Sequence, residues 1–254
     1  HTNWLGSLLR LMESDASIGI AGSKILSPNG TLQEAGGIIW NDASGWNFGR
    51  GADPSVPEYN YVKEVDYISG CSIMVRADFW HQVGGFDERF APAYYEDADL
   101  AFQARANGYR VVYQPLSVLT HFEGATHGTD LSAGQKKYQV VNQPKFREKW
   151  ASVLRIEQYA PGQHVLRARD RSCAKKIVLM VDHYIPTFDQ DAGSRAIYYY
   201  IKLFLTSNYH VILIPDNFAR TEYAIYYEQM GVEVLYGEWY YLNWQQWVAK
   251  NAEE

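Results

Sequence analysis

Apolar residues recur at helical spacing near the start of the chain. Trp4, Leu5, Leu8, Leu9 and Met12 predict an amphipathic helix behind Asn3, a residue type that caps helices. The pattern then changes period. Residues 18–21 predict a short strand, Ser27-Pro28-Asn29-Gly30 a turn, and residues 36–40 renewed extended chain. Gly, Pro, Asp and Ser dominate residues 42–60, which predicts a long surface loop of the kind that often carries function. Val65, Tyr67, Ile73 and Val75 predict a strand pair or bent strand broken at Ser69-Gly70. Residues 77–83 read as a helix stopped by Gly84-Gly85. Residues 96–107 read as another, with Glu96, Asp97 and Asp99 in its first turn and Gly108 past its end. Strands are expected at 109–113 and 117–121 around Pro115. Pro144 is expected to open a helix running through Trp150 and Leu154.

No sustained apolar period follows. Residues 155–175 carry Pro161-Gly162 and more basic than acidic residues, which reads as a solvated linker. A new pattern starts at Lys176. Residues 177–181 form a continuous apolar run, as in a strand buried on both faces. Ile197, Tyr200, Ile201, Phe204 and Leu205 share one helical face. A strand at 210–214, a helix at 221–230 and a strand at 232–236 complete β-α-β-α-β, the first half of a doubly wound parallel sheet. The expected organisation is therefore α/β: a first domain over 1–154, a linker over 155–175, and a truncated Rossmann-like half-domain over 176–254.

Composition narrows the function classes. With 254 residues, 47% hydrophobic and 20% charged, the chain is an ordinary globular sequence, not a disordered one. No apolar run approaches a membrane span, and the start of the chain lacks a basic-then-apolar leader. A net charge of −6 disfavours nucleic acid as a partner. Two cysteines, Cys71 and Cys173, exclude a disulfide framework and a Cys-rich zinc site, and fit a reducing cytoplasm. The 20 Tyr and 8 Trp supply rings with polar edges, which suit sugar contacts or packing alike. Trp40, Trp46 and Phe48 flank the long loop and are assigned to packing.

The stretch VDYISGCSIMVRADFWHQVGGFDERFAPAYYEDADLAFQARANGYRVVYQPLSVLTH, from Val65 to His121, carries five ordered pieces. They are the strand ending in Ser69-Gly70, the Gly84-Gly85-Phe86-Asp87 turn, Glu96-Asp97-x-Asp99-Leu100, Gly108-Tyr109-Arg110-Val111, and His121. Together they resemble the C-terminal half of the catalytic domain of family 2 glycosyltransferases. The earlier stretch from Gly30 to Gly37, GTLQEAGG, fits a subfamily that often builds bacterial surface polysaccharides. The resemblance covers about residues 1–154. It implies a partial GT-A fold, a nucleotide-sugar donor, a glycan or lipid-linked acceptor, and transfer with inversion. It also implies a cytoplasmic enzyme, at the inner face of the cell membrane if peripherally associated. The second region, through Lys176 to Asp182, Ile185-Pro186, Asp189-x-Asp191-Ala192-Gly193-Ser194-Arg195 and Gly231-Val232-Glu233-Val234, resembles the N-terminal part of a GT-B, family 4-like glycosyltransferase.

Inverting transfer needs a base that deprotonates the acceptor hydroxyl opposite the leaving nucleotide diphosphate. The resemblance makes Asp97 that base and Glu96 an acceptor-side group. The alternative is that Glu96, Asp97 and Asp99 only complement a helix dipole. Gly70, Gly84 and Gly85 would let the chain pass close to substrate, although Gly84-Gly85 also reads as a helix cap. Asp87 would bind an acceptor hydroxyl or cap a turn. The leaving diphosphate calls for a divalent cation, Mn or Mg, whose Asp-x-Asp motif would lie before the present segment. Neither Asp97-Ala98-Asp99 nor Asp189-Gln190-Asp191 is assigned to it. His121 is the candidate metal residue, with a buried hydrogen-bonded histidine as the alternative, and His127 is expected in a loop. Gly193, Ser194 and Arg195, at a helix N-terminus, would receive an anion, with Asp191 as a plain cap the alternative.

Two other readings stand beside the transferase. One is a non-catalytic glycan-binding or scaffolding fragment. The other is a sugar-nucleotide-modifying enzyme, disfavoured because Gly-x-Gly-x-x-Gly is missing. With its donor side absent, the isolated chain is expected to be inactive or nearly so.

Overall fold

The computed structural model describes residues 3–122 and 137–254. It is α/β and divides into two compact units, His1–Pro54 with Lys63–Arg171, and Ser55–Val62 with Ser172–Glu254.

In the first unit, helix α1 (Trp4–Ser14) buries Leu8 and Met12, one turn apart, and leaves Trp4, Leu5 and Leu9 exposed. Asn3 precedes it without a side-chain cap bond. Strand β1 (Ile18–Leu26) is more than twice the expected length and almost wholly buried. The Ser27–Gly30 turn, with Gly30 at φ +84°, leads to β2 (Leu32–Glu34). Strand β3 (Gly37–Ile39) pairs antiparallel with β4 (Gly45–Asn47). The expected surface loop at 42–60 thus starts as a hairpin, with Ala43 and Phe48 buried, and its residues 55–60 belong to the second unit. Three-residue strands are too short to show an alternating pattern in sequence.

Strands β5 (Lys63–Glu64) and β6 (Ile73–Val75) flank an irregular stretch rather than forming one bent strand. Helix α2 (Ala77–Val83) ends on Gly84 at φ +77°, and α3 (Glu96–Ala106) follows a 3-10 turn at Glu88–Phe90. Strand β7 (Arg110–Thr120) is continuous where two strands were expected. Its parallel register against β1 jumps from Ser23↔Gln114 to Lys24↔Val118, so residues 115–117 bulge out. Pro115, which has no N–H for a ladder, sits in that bulge. The sheet runs β2-β1-β7-β5, with β6 also paired to β1. Helix α4 (Lys137–Lys149) contains Pro144 in its interior instead of starting there, and α5 (Ala151–Glu157) follows separately. Phe146 is buried, and Asn142 Nδ2 donates to the Phe90 and Ala93 carbonyls at 2.8 and 2.9 Å.

Residues 155–171 are not a solvated linker. They include the end of α5 and α6 (Val165–Ala168), and Leu166, Ala168, Arg169 and Asp170 are buried. The buried Asp66 holds this segment down. It pairs with Arg171, accepts from Gln158 Nε2 at 3.0 Å, and accepts the Ile39 N–H at 2.9 Å. Arg171 also pairs with Glu157 at 2.7 Å. Burial works against the Arg171 charge, yet Asp66 and Glu157 hold its pKa above the ordinary value. These contacts are between polar and charged groups, so no hydrophobic period marks them in the sequence.

The second unit is β8 (Lys176–Asp182), α7 (Ala192–Thr206), β9 (Tyr209–Pro215), α8 (Tyr223–Met230), β10 (Glu233–Val234) and α9 (Glu238–Asn251). The strands are parallel in the order β10-β9-β8. Helix α9 was not expected. Its Trp244 and Trp247 pack against the cluster formed by Ile212, Ile214, Phe218, Leu235 and Tyr240. Central β9 is buried along most of its length, whereas β8 is not buried on both faces: Leu179 is 39% and Val181 62% exposed. Among the described residues β8 pairs only with β9, so the apolar run belongs to an edge strand. Of the second segment, Val62 N–H donates to the Glu228 carbonyl at 2.9 Å.

Removing one partner of a buried ion pair strands the other charge. Asp66→Ala is expected to destabilise the first unit by about 3–5 kcal/mol in urea denaturation. In native wild type, trypsin should spare Arg167, Arg169 and Arg171, and it should cut there in the variant.

Candidate functional site

The residues before α3 are strained. Tyr94 and Tyr95 lie at φ +70° and +72°, which for bulky side chains costs about 1–3 kcal/mol each. Packing enforces this at Tyr95, whose ring is 5.2 Å from that of Phe146 and whose hydroxyl donates to the Ala43 carbonyl at 2.8 Å.

Asp97 is partly exposed and accepts two backbone hydrogen bonds, from Ala98 at 2.7 Å through Oδ1 and from Gly70 at 3.0 Å through Oδ2. Gly70 lies in the Ser69–Ser72 turn, closed by the Ser72 N–H on the Ser69 carbonyl at 3.2 Å. The Ser69 N–H in turn donates to Glu34 Oε1 at 3.2 Å. Two successive amides of one turn therefore meet two different carboxyl groups.

Burial dominates the electrostatics. It pushes Glu34 up to about 8, with the Asp97 charge adding and the Ser69 N–H opposing. It pushes Glu96 up to about 7, again with Asp97 adding. Asp97 is also raised by burial, against the amide bonds that stabilise its anion. Cys71 is raised to about 11, chiefly by burial. Carboxyl groups with such different proton affinities can hold and release a proton near neutral pH.

The other expected site residues fall elsewhere. Asp87 caps the 3-10 turn through the Arg89 N–H at 2.9 Å and pairs with Lys149 at 2.8 Å. The fully buried Asp99 accepts from Lys149, from Trp150 Nε1 at 2.7 Å and from Gln103 at 2.6 Å, which joins α3 to α4 and α5. Gly84 and Gly85 close α2 at positive φ, and a methyl on Gly85 would stand 3.0 Å from the Trp80 ring. His121 Nδ1 shares a hydrogen bond with Gln33 Nε2 at 3.0 Å. Among the described residues no three His, Cys, Asp or Glu side chains converge on a point that could hold a metal ion, so they do not assemble the donor set of a divalent cation. His127 lies outside the described residues.

In the second unit Gly193, Ser194 and Arg195 form the first turns of α7. Asp191 caps that helix and accepts the Ser194 N–H at 2.8 Å, and these Ser194 bonds, with help from Thr187 and Tyr184, hold its pKa down to about 2. Arg195 Nε donates to the Phe188 carbonyl at 3.3 Å. An internal carboxylate thus uses the Ser194 amide expected to receive an anion. Glu34 was missed in the sequence because a lone acid in a short strand looks solvent-facing. Only its place inside the Gly30–Gly37 stretch hinted at a role.

No family model matches the chain. An O-antigen biosynthesis protein, RfbC, of Myxococcus xanthus is 27% identical over 133 residues, 50% of this chain and 10% of that protein. An N-acetylglucosaminyl-diphospho-decaprenol L-rhamnosyltransferase of Mycobacterium tuberculosis is 32% identical over 97 residues, 37% of this chain and 31% of that protein. The chain is a distant relative of glycosyltransferases. An uncharacterized Sinorhizobium fredii protein, y4gI, is 26% identical over 133 residues, 50% of this chain and 14% of that protein. The chain spans between a tenth and a third of the length of these curated relatives. Among the described residues no helix is long and apolar enough to cross a membrane.

The raised Glu34 has a consequence for stability. A carboxyl whose folded pKa is about 8 against an unfolded value near 4.5 binds its proton more tightly when folded, so stability falls as pH rises from about 4.5 through 8. Glu34→Gln removes that proton. Its melting temperature should vary less than that of wild type between pH 5 and 8 in calorimetric scans.

Proposed function

We propose that the first unit is the acceptor-side part of a family 2-type, GT-A glycosyltransferase. It would transfer a sugar from a nucleotide-sugar donor, with inversion, to a growing cell-surface polysaccharide or lipid-linked glycan. The observation that carries this reading is Asp97: a partly exposed carboxylate, fixed by two backbone amides and raised in basicity by burial. Its position at the start of α3 is the one that the family resemblance gives to the base. In the proposed step Asp97 takes the acceptor hydroxyl proton while that oxygen attacks the anomeric carbon. The bond to the nucleotide diphosphate breaks on the opposite face.

Gly70 supports the same reading. A methyl there would stand 3.8 Å from Asp97 Oδ2, an ordinary contact, and the position has no positive φ. The fold does not require glycine at 70, so its smallness leaves room for a substrate beside Asp97. A cation for the leaving diphosphate would take most of its ligands from outside the described residues, with His121 offering one at most. The second unit, a parallel β-α-β-α-β arrangement followed by α9, is proposed as the N-terminal part of a GT-B-like module. The enzyme would act in the cytoplasm, at the inner face of the membrane for a lipid-linked acceptor.

A second reading is a glycan-binding unit without catalysis. The two differ at Asp97. In an enzyme that carries this chain, Asp97→Asn is expected to lower kcat about 10²–10⁴-fold while donor affinity, read by calorimetric titration, survives. Activity within a few-fold of wild type would remove Asp97 as the base.

A further inference from the structure

The Ser69–Ser72 turn is held at both ends. At its far end Ser72 Oγ lies 2.7 Å from Ser23 Oγ, and Ser23 Oγ lies 2.8 Å from Ser117 Oγ. Ser117 donates to the Trp4 carbonyl at 2.8 Å. A hydroxyl has one proton to give, so Ser117 accepts from Ser23 and Ser23 accepts from Ser72. The relay runs one way, from the turn through β1 and β7 to α1. At the near end the only described anchor on the Ser69 amide is the buried Glu34. Between these anchors the Gly70 N–H points at Asp97.

We propose that Glu34 is a positioning residue for Asp97: it holds the Ser69 amide, and that fixes the next amide, Gly70, on the Asp97 carboxylate. The proposal rests on the reading of Asp97 as the base. The choice of an acid at position 34 carries the argument further. A glutamine would accept the same N–H without the penalty of burying an ionisable group. Glutamate differs by its proton. The groups that sense Glu34 are Asp97, Arg50, the Tyr67 and Tyr113 hydroxyls, and the Cys71 thiol. Arg50 is the cation in that set. While Glu34 keeps its proton, Asp97 is the single charge of the pair. Once Glu34 ionises, a second negative charge stands beside the base and works against the turn that bridges the two.

The test uses two variants and a readout that needs no turnover. In this chain, Glu34→Ala should speed hydrogen exchange at the Gly70 amide about tenfold or more, and Glu34→Gln should restore protection. The Asp97 carboxyl carbon, followed by NMR, should show a second inflection near pH 8 in wild type that vanishes in Glu34→Gln. In an enzyme that carries the chain, Glu34→Ala should lower kcat about 10–100-fold with donor KM within about threefold. The alkaline limb near pH 8 should disappear in Glu34→Gln. Unchanged Gly70 exchange in Glu34→Ala overturns the proposal, as does a second Asp97 inflection that persists in Glu34→Gln. If Glu34→Ala does not fold, the Glu34→Gln titration decides alone. Wild type that transfers no sugar would defeat the base reading, while Gly70 exchange and the Asp97 titration would still decide the placement.

Discussion

Taking a carboxylate out of water is the constraint around which the first unit is organised. The isolated charge is prohibitively costly in a protein interior, so it must be paired, hydrogen-bonded or protonated. Three buried acids resolve this in different ways. Asp66 meets Arg171 and so draws residues 155–171 onto the body of the unit. Asp99 takes Lys149, Trp150 and Gln103, which locks α3 against the helices that follow. Glu34 has no such cation in contact among the described residues and accepts a peptide N–H, with burial pushing its pKa up to about 8.

That contrast separates acids held by cations from acids held by amides. Asp66 and Asp99 are acids whose partners consume them. Asp87, tied to Lys149 and to its own turn, belongs with them. Asp97 is different because it is partly open to solvent, is held among the described residues by amides, and is close enough to Glu34 and Glu96 that its charge raises the proton affinity of both. The strained Tyr94-Tyr95 pair stands directly before it, where backbone strain often accompanies a functional site. At the start of α7 a carboxylate of the chain itself, Asp191, supplies negative charge of the kind that a helix N-terminus favours.

Much of this was legible in the chain. The helices α1, α2, α3, α7 and α8 follow from apolar period and glycine stops, and the parallel β-α-β-α-β order of the second unit follows from alternating apolar runs and helices. The proximity of Gly70 and Asp97 is consistent with their shared place in one motif resemblance, although nothing in the spacing states a contact across 27 residues. The short strands, the β3–β4 hairpin and the bulge at Pro115 were not legible, because two or three residues hold too little periodicity to be read.

Local rules thus determined what local energetics can decide: helix starts and stops, strand-forming runs, and the acids that open α3. Only the tertiary structure decided which charges are buried and with whom. Residues 155–171 look like a solvated segment because their anchoring groups are arginine, glutamate and glutamine, and Asp66, which Gln158 and Arg171 meet, lies 92 and 105 residues away in sequence. Leu179 and Val181 look doubly buried, yet sheet order puts their strand at an edge among the described residues. Glu34 looks like any exposed acid, yet the sheet sets it beside Ser69. Burial and pairing depend on distances between remote residues, and those distances are fixed by the fold and not by any short window of sequence.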